Sequence, residues 1–305
     1  MAGFRRAESK MLFHFSITSQ QLFGQLLVGL INGSFYALLS LGLAVIFGML
    51  NIVNFAHGAL YMLGAYVALF LLRQFGLNYW VALVGAPLSV GALGALLQRT
   101  LLQRLAGLDP LYGLLLTFGV ALAIQGVFEN FFGASGSPYA IPPQLAGAQN
   151  LGFMILPNYR LWVIAFSLVV CLATWLVIER TKLGAYLRAA TENPALVRAF
   201  GINVPRMITL TYAFGAALAA LAGVLAAPIY QVRPGMGVDL VSVVFAVVVI
   251  GGMGSILGSI ITGFTLGLIE GLTKVFYPEA SSTVVFVIMA IVLLVKPAGL
   301  FGKTA

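Results

Sequence analysis

An all-α, polytopic membrane fold is the architecture this sequence predicts, and three observations carry it. Hydrophobic residues make up 61% of the 305 positions and charged residues only 8%, against about 25% charged in a soluble domain whose surface water must solvate. Nine apolar runs of spanning or near-spanning length follow one another, at about 22–48, 59–73, 79–98, 111–132, 159–178, 207–230, 240–252, 256–276 and 283–296. Lysine and arginine gather in alternate connections between them, as the positive-inside rule requires of a multi-pass chain. Eight or nine crossings follow. About 20 residues are needed to cross the hydrocarbon core, so the runs at 59–73 and 240–252 are either half-helices or borrow residues from the adjoining breaks.

The N-terminus carries Arg5, Arg6 and Lys10 and then a polar stretch to Gln21, with no cleavable leader pattern behind it. Segment 99–109 holds Arg99 and Arg104, segment 179–206 holds Arg180, Lys182, Arg188, Arg198 and Arg206, and the tail holds Lys296 and Lys303. These nine cations are assigned to the cytoplasmic side, and the other connections carry only Arg73, Arg160, Arg233 and Lys274. The N-terminal tail conflicts with this count. A single span at 22–48 leaves Arg5, Arg6 and Lys10 outside, so either the first run is not one span or the tail breaks the rule.

The connection at 133–158 is the longest on the non-cytoplasmic side. It is rich in Gly, Pro, Ser and Asn, and Pro138, Pro142, Pro143 and Pro157 punctuate it, which reads as a loop with room for a short interfacial helix. Residues 1–305 form one transmembrane domain on this reading. A hydrolytic or ligand-capturing domain would have to be another polypeptide. The net charge of +8 sits in those connections, so nucleic acid is not expected as a partner.

Two polar breaks interrupt the apolar runs. Gly48-Met-Leu-Asn51-Ile-Val-Asn54-Phe-Ala-His57-Gly58 places amides, an imidazole and glycines between two runs. Exposed backbone is costly in lipid, so this is either a broken helix along a transport path or a cytoplasmic turn whose His57 is exposed or bonded to a backbone carbonyl. Gly251-Gly-Met-Gly254-Ser255 is the second break. Its Gly252-x-Gly254 start is not a dinucleotide fingerprint, because no βαβ unit surrounds it. Gly254 and Gly258, then Gly263, Gly267 and Gly271, recur every four residues and form a smooth face for close helix packing. One break in each half of the chain suggests an internal duplication around a central path.

The basic segment Lys182–Val204 is neither long nor apolar enough to span. Asn193 before Pro194 reads as an N-cap and first-turn proline, and Gly201 suits a left-handed stop. Two short helices meeting at a bend follow, the second at about 194–200. Leu196, Val197 and Phe200 share one side of it. That apolar face either enters a partner's groove or folds onto the chain's own membrane helices.

At these residues the sequence resembles the permeases of branched-chain amino-acid ATP-binding-cassette transporters, specifically the first of their two related membrane subunits. The similarity runs through Gly33-Ser-Phe-Tyr36, Asn51-Ile-Val-Asn54-Phe-Ala-His57-Gly58, Gly184–Val204, Gly215–Gly223, Gly251–Gly258 and Pro297-Ala-Gly299-Leu-Phe-Gly302, about residues 22–302 in all. The resemblance implies a second related permease, two cytoplasmic ATPase subunits docked on the coupling segments, a periplasmic binding protein and a bacterial inner membrane. Carried over residue by residue, the coupling pattern is clearest at Gly184, Arg188, Ala189, Glu192 and Gly201. Leu187, Asn193, Leu196, Val197 and Phe200 complete the segment. Asn32, Asn51, Asn54, His57, Gly252, Gly254 and Ser255 are the candidates for the path and its broken helices.

Polar residues inside the runs carry the remaining expectations. Glu270 and Lys274 are spaced to pair on one helix face, Glu129 belongs at an interface, and Asn32 and Gln125 suit bonds between helices. No enzyme chemistry is expected. His14 and His57 stand far apart without a carboxylate cluster, no nucleophile has a base, and Gly302-Lys303-Thr304 lacks the first glycine of a phosphate loop. No cofactor or metal is implied. Urea or an amide remains an alternative solute, and a self-sufficient channel or secondary transporter an alternative class.

Overall fold

A computed structural model describes residues 18–302 apart from positions 51, 106 and 153. Eleven α-helices are described. Helices α1 (Ser19–Leu50), α2 (Ala56–Phe75), α3 (Tyr79–Thr100), α4 (Pro110–Phe132) and α5 (Asn158–Arg180) make the first half. Helices α6 (Lys182–Glu192) and α7 (Pro194–Ala199) lead into α8 (Val204–Ala226), α9 (Met236–Gly251), α10 (Ile256–Phe276) and α11 (Val284–Val295). Each of the nine apolar runs falls on one helix. Seven of these, α1 to α5, α8 and α10, are long and apolar enough to cross a membrane, so the chain is a multi-pass membrane protein. α9 and α11 have 16 and 12 residues.

Local chemistry sets where these helices start and stop. Asn78 accepts a hydrogen bond from Val81 N (3.1 Å) at the start of α3. Asp109 caps α4 ahead of Pro110, and Asn203 caps α8 at Arg206 N (3.0 Å). These short polar side chains satisfy amide groups that have no partner within the helix. Gly76, with φ of 61°, ends α2 in the left-handed conformation a Cβ disfavours. The run at 59–73 borrows residues from the adjoining break, the second of its two readings: Ala56, His57 and Gly58 join the first turn of a 20-residue helix.

α1 is one 32-residue helix through the centre of the bundle. It runs antiparallel to α10, and glycines let the two backbones touch. A Cβ on Gly267 would collide with the Gly29 and Gly33 backbone, and one on Gly263 would lie 2.6 Å from the Ala37 backbone. Ser40 Oγ donates to Ser259 O across the same seam (3.2 Å). The four-residue glycine spacing of α10 is therefore a packing face, as expected. α8 is the second axis. Gly223 sits on the Tyr61 and Ala65 backbone of α2, and Gly91 and Gly94 of α3 lie against Ala213 and Ala216.

These pairings fix the sidedness. The C-terminal end of α1 lies with α6, whereas Ser19 lies with the C-terminal end of α10. α6 and α7 carry the basic segment, the side that the positive-inside rule assigns to the cytoplasm, and α1 begins on the opposite side as one uninterrupted span. Arg5, Arg6, Lys10 and His14 lie outside the described residues, as do Asn51 and Lys303.

The connection at 133–158 departs from expectation. In place of an interfacial helix it forms a single 3-10 turn at Pro143–Leu145 and an antiparallel hairpin, β1 (Ala148–Asn150) with β2 (Ile155–Pro157), in which Gln149 faces Leu156. Four prolines disfavour a continued helix, and the hairpin pairs its own backbone groups. Ser137 bridges Val232, tying this cover to the α8–α9 connection.

Candidate functional site

The cytoplasmic end is built from α6 and α7. Gly184 is buried, and a Cβ there would overlap Ile178 O, so glycine lets α6 fold back on the end of α5. Arg188 pairs with Glu179 of α5 (3.3 Å), both half-exposed. Leu187 is partly buried, while Ala189 and Glu192 are exposed. Asn193 accepts from Leu196 N (3.0 Å) and starts α7 with Pro194 in its first turn. Gly201, with φ of 81°, ends the turn after it.

The apolar face expected of α7 is divided. Val197 is buried with Ala190 and Val204 against Met49 and Met207, whereas Leu196 and Phe200 are 54% and 77% exposed. A six-residue helix resting on its own bundle must turn one side inward. Val197 is thus an anchor, and only Leu196 and Phe200 are presented outward.

The first break is a buried one. The chain turns back at Leu50, and α2 starts beside Gly42 and Gly215, level with the middle of α8. Asn54 Nδ2 donates to Tyr212 Oη (3.1 Å), and its Oδ1 accepts from Ala56 N (3.1 Å). Thr117 Oγ1 bonds Phe55 N and Val53 O. His57 Nε2 donates to Leu39 O at 3.0 Å, which sets the tautomer. Asn54 and His57 are 2% and 1% exposed. The segment is a turn between two complete helices, and His57 is held by a backbone carbonyl, as the turn reading of the sequence holds, although it is buried rather than exposed. Both residues lock the break inside the chain rather than facing an open surface.

The second break is also closed by its own residues. Gly252 and Gly254 adopt φ of 100° and 83°, and Gly252 lies against the Gly302 backbone. Ser255 caps α10 through Gly258 N (3.1 Å). Leu300 N and Phe301 N donate to Ile250 O and Gly251 O at the end of α9. This break and α6 border a common cavity of about 690 Å³, lined among others by Gly48, Trp175, Leu187, Arg188 and Ser255. Three of the expected coupling residues (Gly184, Leu187, Arg188) and two expected path residues (Gly254, Ser255) are thereby brought together. Asn54 and His57 are not part of it.

A polar network in the outer half extends beyond what the sequence exposes. Glu270 accepts from Lys274 Nζ (2.5 Å), Tyr36 Oη (2.6 Å) and Asn32 Nδ2 (3.4 Å), and Tyr230 Oη donates to Asn32 Oδ1 (2.7 Å). Asn32 thus bonds between helices as expected. Gln125 does not: it donates to Glu129 one turn along the same exposed face (3.0 Å). Arg233 and Asp239 form an ion pair at the start of α9, a pair hidden in the sequence by the loop–helix boundary between them. Among the described residues no group of three His, Cys, Asp or Glu side chains has a metal-holding arrangement.

Seven long apolar helices around a buried core, with a two-helix step on the basic side, define a polytopic membrane protein. The family model described as "Branched-chain amino acid transport system / permease component" matches residues 25–295, and the chain belongs to that family. It is 31% identical to the high-affinity branched-chain amino acid transport system permease protein BraD of Pseudomonas aeruginosa, over 92% of this chain and 95% of that protein. It is likewise 31% identical to the corresponding permease protein LivH of Escherichia coli, over 93% of this chain and 95% of LivH. The E. coli permease protein LivM matches at 31% over 88% of this chain and 68% of LivM.

Proposed function

We propose that this chain is a membrane-spanning permease subunit of an ATP-binding-cassette importer that moves branched-chain or other hydrophobic amino acids across the bacterial inner membrane. It works beside a second, related permease, two cytoplasmic ATPase subunits and a periplasmic binding protein. Similarity to two E. coli permease proteins, LivH and LivM, supports a pair of related subunits. Family membership supports the solute class.

One observation carries the mechanism: Leu196 and Phe200 protrude from a short helix whose Val197 is anchored in the bundle. Apolar side chains held out on a rigid step suit a groove on a cytoplasmic partner. Movement of that partner pushes α7 and α6 together, and Arg188 with Glu179 passes the push to α5. The cavity behind α6 gives it room to move toward the α9–α10 break.

The test is co-purification of the assembled transporter in mild detergent. The parent retains its ATPase subunits and takes up labelled leucine in proteoliposomes, and Phe200→Asp loses both while the chain stays folded. If the parent holds no ATPase, and the purified chain alone moves solute, the channel or secondary-transporter reading replaces this one.

A further inference from the structure

The Arg233–Asp239 pair stands where a charge pair is least expected. It joins the α8–α9 connection to the first turn of α9, with the two side chains 50% and 52% exposed. Its depth follows from backbone contacts. Gly237, two residues before Asp239, packs directly on Gly58 at the start of α2. Tyr66, two turns or about 12 Å further along α2, packs on Phe128 and Phe132 at the outer end of α4. Asp239 therefore lies about 12 Å below that end, well inside the apolar zone. A half-exposed ion pair facing lipid at this depth is strongly unfavourable, so the face it occupies meets water or protein.

The rest of that face agrees. Val238, Asp239 and Ser242 are exposed along α9, and Asp239 and Ser242 are the polar side chains of an otherwise apolar helix. The exposed side of α5 is different: Leu161, Leu168, Val169 and Leu172 present only hydrocarbon. Towards the cytoplasm the α9 stripe ends at Phe245, stacked on Phe55 at 6.4 Å, which in turn meets Phe118 edge-on at 6.0 Å. Towards the outside, Tyr230 is moored to Asn32 and through it to Glu270, which holds the connection bearing Arg233 in place.

We infer that this face of α9 lines the solute path, and that Arg233 and Asp239 receive the two charges of the amino acid's zwitterionic head group. The inference rests on the permease reading above and names the recognition chemistry within it. With no solute the two side chains neutralise each other. An arriving zwitterion exchanges partners with them: its carboxylate takes the guanidinium of Arg233, whose planar donors suit it, and its ammonium takes the carboxylate of Asp239. One ion pair becomes two, and the net charge of the site stays at zero. Urea or an amide carries no charge to exchange for the ion pair, and a simple amine takes Asp239 and leaves Arg233 uncompensated. The aromatic group at Phe55, Phe118 and Phe245 forms the constriction that the solute meets next.

The chain's single cysteine makes the test direct, because Cys171 is buried and silent. In the assembled transporter in membranes, Ser242→Cys and Val169→Cys are treated with a charged, membrane-impermeant thiosulfonate. Reaction at 242 about ten-fold faster than at 169 is expected from a wet face against an apolar one. Equal, slow reaction at both overturns the inference. In proteoliposomes with loaded binding protein, Asp239→Asn and Arg233→Gln are each expected to lower leucine uptake per ATP hydrolysed about ten-fold, since each leaves one charge of the solute unmatched. The exchanged pair, Arg233→Asp with Asp239→Arg, regains a measurable part of it. Unchanged uptake per ATP in both single variants also overturns the inference. Failure of the permease reading shows earlier and separately, as a parent complex with no ATP-dependent leucine uptake.

Discussion

Glu270 shows how one residue's surroundings decide its role. Its carboxylate accepts from Lys274, Tyr36 and Asn32, so the buried charge is both paired and hydrogen-bonded. Glu270→Gln removes the counter-charge of Lys274 while keeping the shape. We expect a loss of about 1–3 kcal/mol, read as a lower Tm of the purified protein, with partial recovery when Lys274→Met is added. The Glu270–Lys274 pair is legible in the sequence, because four-residue spacing is a property of one helix. Tyr36 and Tyr230 are not legible, since they arrive from a helix and a connection far away in the chain. Asp239 escapes for a related reason. It pairs across a loop–helix boundary with Arg233, and no periodicity marks such a pair.

At the scale of elements, the helices themselves are readable and their contacts only partly so. The nine apolar runs match nine helices because burial in lipid requires long apolar stretches with satisfied backbones. The glycine face of α10 is visible as spacing, but its partner, α1, is not. Packing there is tight enough to test. Gly267→Leu drives side-chain atoms into the Gly29 and Gly33 backbone, and a loss of about 3 kcal/mol or more is expected. It is measured as poor accumulation and a lower Tm. Gly24→Leu, on the partner helix α1, meets open space and should leave both unchanged. The division of α7 escapes the sequence because a helical wheel shows which residues share a side, not which neighbour covers it. Asn54 and His57 escape for a similar reason: polarity in an apolar run marks a break, yet the same residues serve equally to seal one.

At the scale of the whole molecule, one of the two readings of the first run falls away: it is a single span. α1 spans without interruption and begins on the side of the β1–β2 hairpin, opposite α6. Charge bias alone leaves this open, because the bias is a sum over connections and one basic tail is outvoted. Membrane-impermeant thiol reagent added to the periplasmic face should label Gln20→Cys, while Lys182→Cys should react only after the membrane is opened. The reverse pattern would invert this topology.

The end of the chain has a consequence for how such a protein is made. Leu300 and Phe301 supply the amide hydrogens that complete the last turn of α9, some fifty residues earlier. During synthesis that turn stays open until residues 300 and 301 have left the ribosome. The order of assembly is therefore set by the chemistry of two carbonyls: α1, α2 and α8 are able to associate early, and the α9–α10 elbow closes last. A nascent chain released before residue 300 carries an unfinished helix end beside α6, a feature that quality-control proteases are well placed to recognise.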